Sequence, residues 1–569
     1  MKHFQLLIAS VLAMVFLLSS CKKDDYALNA SKEEANLQAK QYEGHVVLGK
    51  QLEDPYSIKN MKKAYFNLKS TNSETPDLNI QPTHTYMRFL PNNEEEWGRL
   101  KSDTTLVLYD FPLDYEIANL GTCYHDPSLP ADAITWQYCV VPIGHVIPGI
   151  VNEILYEVYI PSTGGNSGLK SSSAMKQFLK DLELESVKLT GNLPKNETGL
   201  KSTQGLLPAE WTPRGTIKVW DDIIGNTTTY TQVFDHWEYY NCTTGDPIIS
   251  PQPVQPAKIQ PMLVQPINQC QRAVYRYNPV TVTGSYIPLI QATVHARWFT
   301  HIETDLTDNN GYFETSKFNY EVNYAIKWQR ADFEIREGSL GQAWFNGPKQ
   351  KGDWNLNISS GMSRMYAAIH RAAYDYYYNN PFGIQSPPLN KWYNNVLAIG
   401  AFDWEDVEPN GDIGPWRRWI GTAEIRIFKP SRTIRDIYAS TIHELAHASH
   451  WAIVGGYSFA FTLEDIVAES WSRGVQWEFT RRIYDRYPGG STIFHKYTQV
   501  VIDLIDNPTM ELAIPNAGLN GDGVEGYTLQ QIEQALKGAK TFNQWRDNLK
   551  NLYNNGTEQN VDALFAYWN

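Results

Sequence analysis

What the chain lacks narrows it first. After the N-terminal leader, no segment reaches the roughly 18 consecutive apolar residues of a membrane-crossing helix. Basic residues are in deficit: 49 Lys plus Arg against 62 Asp plus Glu leave a formal net charge of −13. An acidic chain has no general attraction for phosphate backbones, which argues against nucleic acid as a partner. Cysteine is sparse, 5 in 569 residues, and no two stand at the CxxC spacing of a cysteine zinc site. No fixed-period repeat is visible, so a solenoid is not favoured. Against these absences stand 42% hydrophobic and only 20% charged residues, a composition that can build cores and excludes wholesale disorder. Aromatic content of 13% suits β-rich domains or surfaces for sugars and peptides. A chain of 569 residues predicts roughly three or four domains.

The first residues read as an address. Lys2 and His3 precede the apolar run Leu6 to Leu18, which is too short to span a bilayer of about 30 Å. The run ends in Leu18-Ser19-Ser20-Cys21, which resembles a bacterial lipobox. The resemblance implies that residues 1–20 are a signal peptide and that a lipidated Cys21 anchors an otherwise soluble protein. Lys22-Lys23-Asp24-Asp25 is similar to the surface-export signal of Bacteroidota-type lipoproteins, which implies a place on the outer membrane, facing outward. With Cys21 acylated, Cys123, Cys139, Cys242 and Cys270 fall into two local pairs. In an oxidising compartment this makes 123–139 and 242–270 candidate disulfides, although four cysteines allow three connectivities.

The rest of the chain predicts a multidomain α+β protein. Residues 21–44 are polar and read as a tether. Residues 45–161 form an N-terminal α+β module, with a strand from Thr83 to Phe89, a short acidic helix from Asn92 to Leu100 and a strand from Thr105 to Tyr109. Residues 162–213 are rich in Ser, Gly, Lys and Asn and read as a linker holding one helix near Met175 to Leu184. Residues 214–345 carry short β-rich runs and predict a central all-β sandwich. There the turn Thr307-Asp308-Asn309-Asn310-Gly311 and the pair Tyr312-Phe313 resemble the TDxNGxF stretch of carboxypeptidase regulatory-like, prealbumin-type domains. That resemblance implies a supporting or binding role, and His295 and His301 read as structural. Residues 346–569 turn mainly helical, beginning with the helical spacing of Met362 to Tyr378. Within them Ala423 to Phe428 alternates polar and apolar residues as a half-buried strand does.

One constellation carries chemistry. Residues 443–447 read His443-Glu444-Leu445-Ala446-His447, the HExxH pattern. Two His four apart lie on one helical face, so both imidazoles can reach one zinc ion. Zinc lowers the pKa of a bound water towards ~7, and the carboxylate beside the first His can accept its proton. Ile434, Ile437, Tyr438, Ile442 and Leu445 keep an apolar helical face, and Gly455-Gly456 ends it. A third ligand must come from elsewhere. The metzincin pattern needs Gly at 450 and His at 453, but the chain has His450 and Ile453. Two glutamates follow on the next helical stretch, which Thr462 and Asp465 predict to start at Leu463. Glu464 falls in its first turn, where the helix dipole already explains a carboxylate. Glu469 falls further in, on an apolar-flanked face where a carboxylate needs a partner. Glu469 is preferred; Glu464 and His450 stay open as alternatives.

The stretch from about 420 to 475 resembles the catalytic core of a gluzincin zinc metallopeptidase. The resemblance implies that His443, His447 and Glu469 hold zinc and that Glu444 is the general base. It also implies that the strand Ala423 to Phe428 binds substrate backbone along its edge, and that the substrate is a peptide, protein or glycoprotein. Tyr457, His495 and Tyr497 are candidate transition-state stabilisers by type. Two rival functions remain at this level: a zincin fold that binds without cleaving, and a glycan-uptake lipoprotein. The intact Glu444 speaks against the first and the HExxH pattern against the second. The oligomeric state is left open.

Overall fold

The computed structural model describes residues 45–71, 76–161, 173–193, 209–241 and 269–569, apart from short gaps at 102, 104, 122, 131–132, 147–148, 340, 392–395, 415, 421, 457–461, 486, 488, 490–495, 514–517 and 520. Helices and several separate sheets are both present, and the chain is α+β. Near the N-terminus a three-stranded sheet has His84–Phe89 at its centre, flanked antiparallel by Gln137–Pro142 and Asn152–Val158. The helices Ile58–Thr71 and Ser173–Leu189 pack on one another beside it. The helix expected from Asn92 forms as Glu94–Lys101. The strand expected at Thr105 to Tyr109 does not form; the segment meets the edge strand Gln137–Pro142 only through an isolated bridge from Tyr109 to Tyr138.

Two four-stranded sheets follow. One joins Tyr312–Glu314, Arg214–Asn241, Leu356–Ile358 and Gln269–Pro288; the other joins Trp344–Gln350, Val322–Lys327, Thr293–Trp298 and His301–Leu306. Phe313, Tyr324, Phe345 and Trp354 meet between them, with Tyr324 and Trp354 stacked at 5.1 Å. The chain crosses position 345 in both directions. Leu356–Ile358 returns to pair in parallel with Ile217–Val219, while Phe333–Glu337 leaves for a third sheet.

That third sheet positions the site. Its order is Gly341–Gln342, Phe333–Glu337, Leu397–Ala401, Ile425–Ile427, Gly411–Ile413. The middle three run parallel, and Gly411–Ile413 runs antiparallel on the outside. Ile425–Ile427 is therefore interior, paired on both sides, which corrects the expectation that the Ala423–Phe428 strand offers its edge. On that side the edge strand among the described residues is Gly411–Ile413, three residues whose pattern gives no strand signal.

The HExxH helix, Ile434–Ile453, lies against this sheet and between the helices Gly361–Tyr378 and Asp465–Ile483. Its predicted apolar face, Ile434, Ile437, Tyr438, Ile442 and Leu445, is at most 1% exposed throughout. Thr433 caps it by accepting from Asp436 N, and Asp222 of the long strand accepts from Ile434 N at 3.0 Å. A second carboxylate at the positive end of the helix dipole thus ties the β-rich region to the helix that carries the site. Gly455 and Gly456, both at positive φ, follow its end.

The cysteine pairing between 123 and 139 is also corrected. Cys139 sits in a strand whose core includes Met87, Phe89 and Trp97, while Cys123 bridges to His45 in a different part of the module, with its Sγ 3.7 Å from His45 Nδ1. The two thiols are not joined. Cys21 and Cys242 lie outside the described residues, so the 242–270 pairing and the lipidation site do too.

Candidate metal centre

His443 and His447 project from successive turns of the HExxH helix towards Glu469, which enters from the antiparallel helix Asp465–Ile483. The three ligand atoms form a nearly equilateral triangle. His443 Nε2 is 3.2 Å from His447 Nε2; Glu469 Oε2 is 3.3 Å from the first and 3.2 Å from the second. Ligands about 2.0–2.1 Å from one tetrahedral zinc stand about 3.3–3.4 Å apart. The side chains keep 10% to 18% of their surface exposed, so the centre opens to solvent on one side. Burial alone would raise the Glu469 carboxyl, but His447 and His443 hold it well below the usual carboxylate range.

A partner that the sequence reading missed fixes one imidazole. Gln476, seven positions after Glu469 on the same face of the same helix, places its Oε1 3.2 Å from His443 Nδ1. Its own Nε2 donates to Tyr487 Oη at 3.0 Å, so both ends of the amide are engaged. An amide oxygen only accepts, so His443 Nδ1 carries the proton and Nε2 keeps its lone pair for a metal. The i+7 spacing from Glu469 was the available signal.

The alternatives fall elsewhere. Glu464 is the N-cap of its helix, which starts at Asp465 and not at Leu463, and its Oε2 accepts from Phe542 N at 2.7 Å. Phe542 opens the helix Phe542–Leu552, which Thr541 caps, so Glu464 adds a carboxylate at that helix's positive end. His450 is fully buried, burial and then His447 push its pKa down to about 3, and neither ring nitrogen has a hydrogen-bond partner among the described residues. It does not join the triangle.

Glu444 is 6% exposed. Burial pushes its carboxyl up to about 8; His443 and Arg417 work against the rise, while Glu469 and Asp412 add to it. The outer strand touches it directly: a Cβ on Gly411 would lie 3.2 Å from Glu444 Cγ and 3.2 Å from the Arg426 carbonyl oxygen. Asp412, next along, is held by Arg417 at 2.6 Å and by Arg426 at 2.8 Å. Of the three proposed stabilisers, Tyr457 and His495 lie outside the described residues. Tyr497 lies beside the centre, its ring 6.3 Å from that of His443. Burial, Glu469 and Glu444 push Tyr497 up to about 12, so it remains a neutral donor near pH 7.

A second carboxylate group, Asp503, Asp506 and Asp522, also brings its oxygens within 4.8 Å of one another. There Asp503 accepts from Leu519 N and from Trp568 Nε1, and it binds the last helix to the loop.

No family model matches the sequence, and neither a curated protein nor a solved structure does. The reading of the site therefore rests on its own residues.

Proposed function

We propose that the protein is a zinc-dependent metallopeptidase that hydrolyses peptide bonds in proteins or glycoproteins, carried on a lipid-anchored chain at the bacterial outer membrane. The observation that carries the reading is the triangle of His443 Nε2, His447 Nε2 and Glu469 Oε2, whose edges suit one tetrahedral ion. The donor set, two neutral imidazoles and one carboxylate, also suits zinc in chemistry.

When bound, zinc would polarise the scissile carbonyl and supply water of lowered pKa. The chain's own residues supply the remaining roles. Gln476 orients His443. Glu444, beside His443 and against the outer strand, accepts a proton from the attacking water and returns it to the leaving amine; burial raises its carboxyl to about 8, and the charge of a zinc ion at the triangle would bring it back towards the ionised form that this role needs. The open edge of Gly411–Ile413 offers unpaired backbone groups to an extended peptide, in place of the strand first expected to do so. Tyr497 donates a hydrogen bond where charge develops on the attacked oxygen.

The test is metal analysis with an activity assay. Purified protein should hold about one zinc per chain and cleave casein or a glycoprotein. A chelator should abolish cleavage, and added zinc should restore it. Zinc-loaded protein that cleaves no protein, peptide or glycopeptide would favour a binding role.

A further inference from the structure

The helix Ile58–Thr71 turns Asn60, Met61 and Ala64 inward, all nearly fully buried. Its outer face carries Lys59, Lys62, Lys63 and Lys69, all exposed. At 100° per residue these fall within an arc of about 120°, and Phe66 falls inside the same arc. Phe66 is 76% exposed, the second most exposed large hydrophobic residue of those described. An aromatic ring held in water inside a lysine stripe is the pattern of a helix that lies on an anionic lipid interface, with its ring among the head groups. The two acidic neighbours sit at the ends of the stripe: Glu53 is 3.9 Å from Lys59, and Asp77 is 2.8 Å from Lys69. Both pairs are exposed and weak in water.

Two further observations favour a membrane as the occupant. The chain carries a net charge of −13, so an anionic surface repels most of it and a basic face is the orientation that such a surface would select. The helix also begins 37 positions after Cys21. Any lipid on Cys21 would keep the module within tether reach of the bilayer, raising the effective concentration of a weak contact.

We propose that the outer face of the helix Ile58–Thr71, with Lys59, Lys62, Lys63 and Lys69 around Phe66, docks on the anionic head groups of the membrane. The contact does not depend on the metal centre and adds a second attachment beside the lipid.

The test uses the mature-length chain carrying Cys21→Ser, which has no lipid, in co-sedimentation with vesicles. It should bind vesicles of phosphatidylglycerol mixed with phosphatidylcholine at low salt and not bind phosphatidylcholine alone. Lys62→Glu with Lys63→Glu should weaken binding at least about ten-fold. Phe66→Ser should weaken it several-fold while leaving its salt dependence in place. All three positions are exposed, and an unchanged melting temperature would show that each variant folds. Equal binding by the double variant, equal binding to both vesicle types, or binding to a soluble polyanion without binding to vesicles would overturn the proposal.

Discussion

At the scale of single residues, three glutamates on two neighbouring helices are given different tasks by what surrounds them. Glu469 faces two imidazoles, and Glu444 is buried beside the outer strand. Glu464 is engaged with the Phe542 amide. Glu469→Gln should therefore strip zinc, and Glu464→Gln should leave it fully bound; metal analysis of the two variants separates them. Gln476→Leu should lower zinc affinity by about 10- to 100-fold, read by competition with a chelator, because His443 loses the partner that fixes its tautomer. The pair His443 and His447 was legible in the sequence because i, i+4 spacing on a helix is local. The choice between Glu469 and Glu464 depended on where the next helix begins. Asp465 starts it, and Thr462 gave a false start two residues early.

Among the elements, the outer strand matters most to the site. A Cβ on Gly411 would crowd Ile427 Cδ1 at 3.1 Å and the Arg426 carbonyl oxygen and Glu444 Cγ at 3.2 Å, and the branched methyls of a valine would crowd them further. Gly411→Val should lower kcat/KM by about 10²-fold with zinc content unchanged, since a shift near 1 Å in a catalytic group costs that much. An unaltered rate would remove the strand from the site. The alternation of Ala423 to Phe428 was enough to predict a strand. Its neighbours were not predictable, because parallel pairing with Leu397–Ala401 is non-local and Gly411–Ile413 is too short to show a period. The helix Gly361–Tyr378 and the HExxH helix were legible almost to the residue, since long amphipathic spacing and a Thr cap are local signals.

Across the whole molecule, the N-terminal module is joined to the rest through buried polar contacts. Lys101 meets Glu334 of the third sheet at 2.5 Å, with both side chains at most 3% exposed. Burial would raise Glu334, but Lys101 and Arg336 bring it down to about 2. Lys101→Met leaves a buried carboxylate with one cation fewer and should cost about 3 kcal/mol in denaturant unfolding. Asp54 adds a pH dependence. It accepts from Tyr156 and from Thr300 of the β-rich region, and burial pushes it up to about 7. An unfolded Asp titrates near ~4, so between about 4 and 7 the folded chain holds a proton that the unfolded chain has lost. This contribution to stability is present below about 4 and is lost as pH rises towards 7. Asp54→Asn should flatten that slope, seen as a smaller difference in Tm between pH 5 and pH 8. The contacts of Lys101 with Glu334 and of Asp54 with Tyr156 and Thr300 had no sequence signal, because each joins residues more than a hundred positions apart.

The most direct test of the central claim compares the zinc-loaded wild type with Glu444→Gln on one protein substrate, with the products read by mass spectrometry. Both should hold about one zinc per chain and melt alike, while the variant cleaves about 10² to 10⁴ times more slowly. Equal cleavage by the two proteins, with zinc bound in both, would contradict the assignment of Glu444 and the peptidase mechanism built on it.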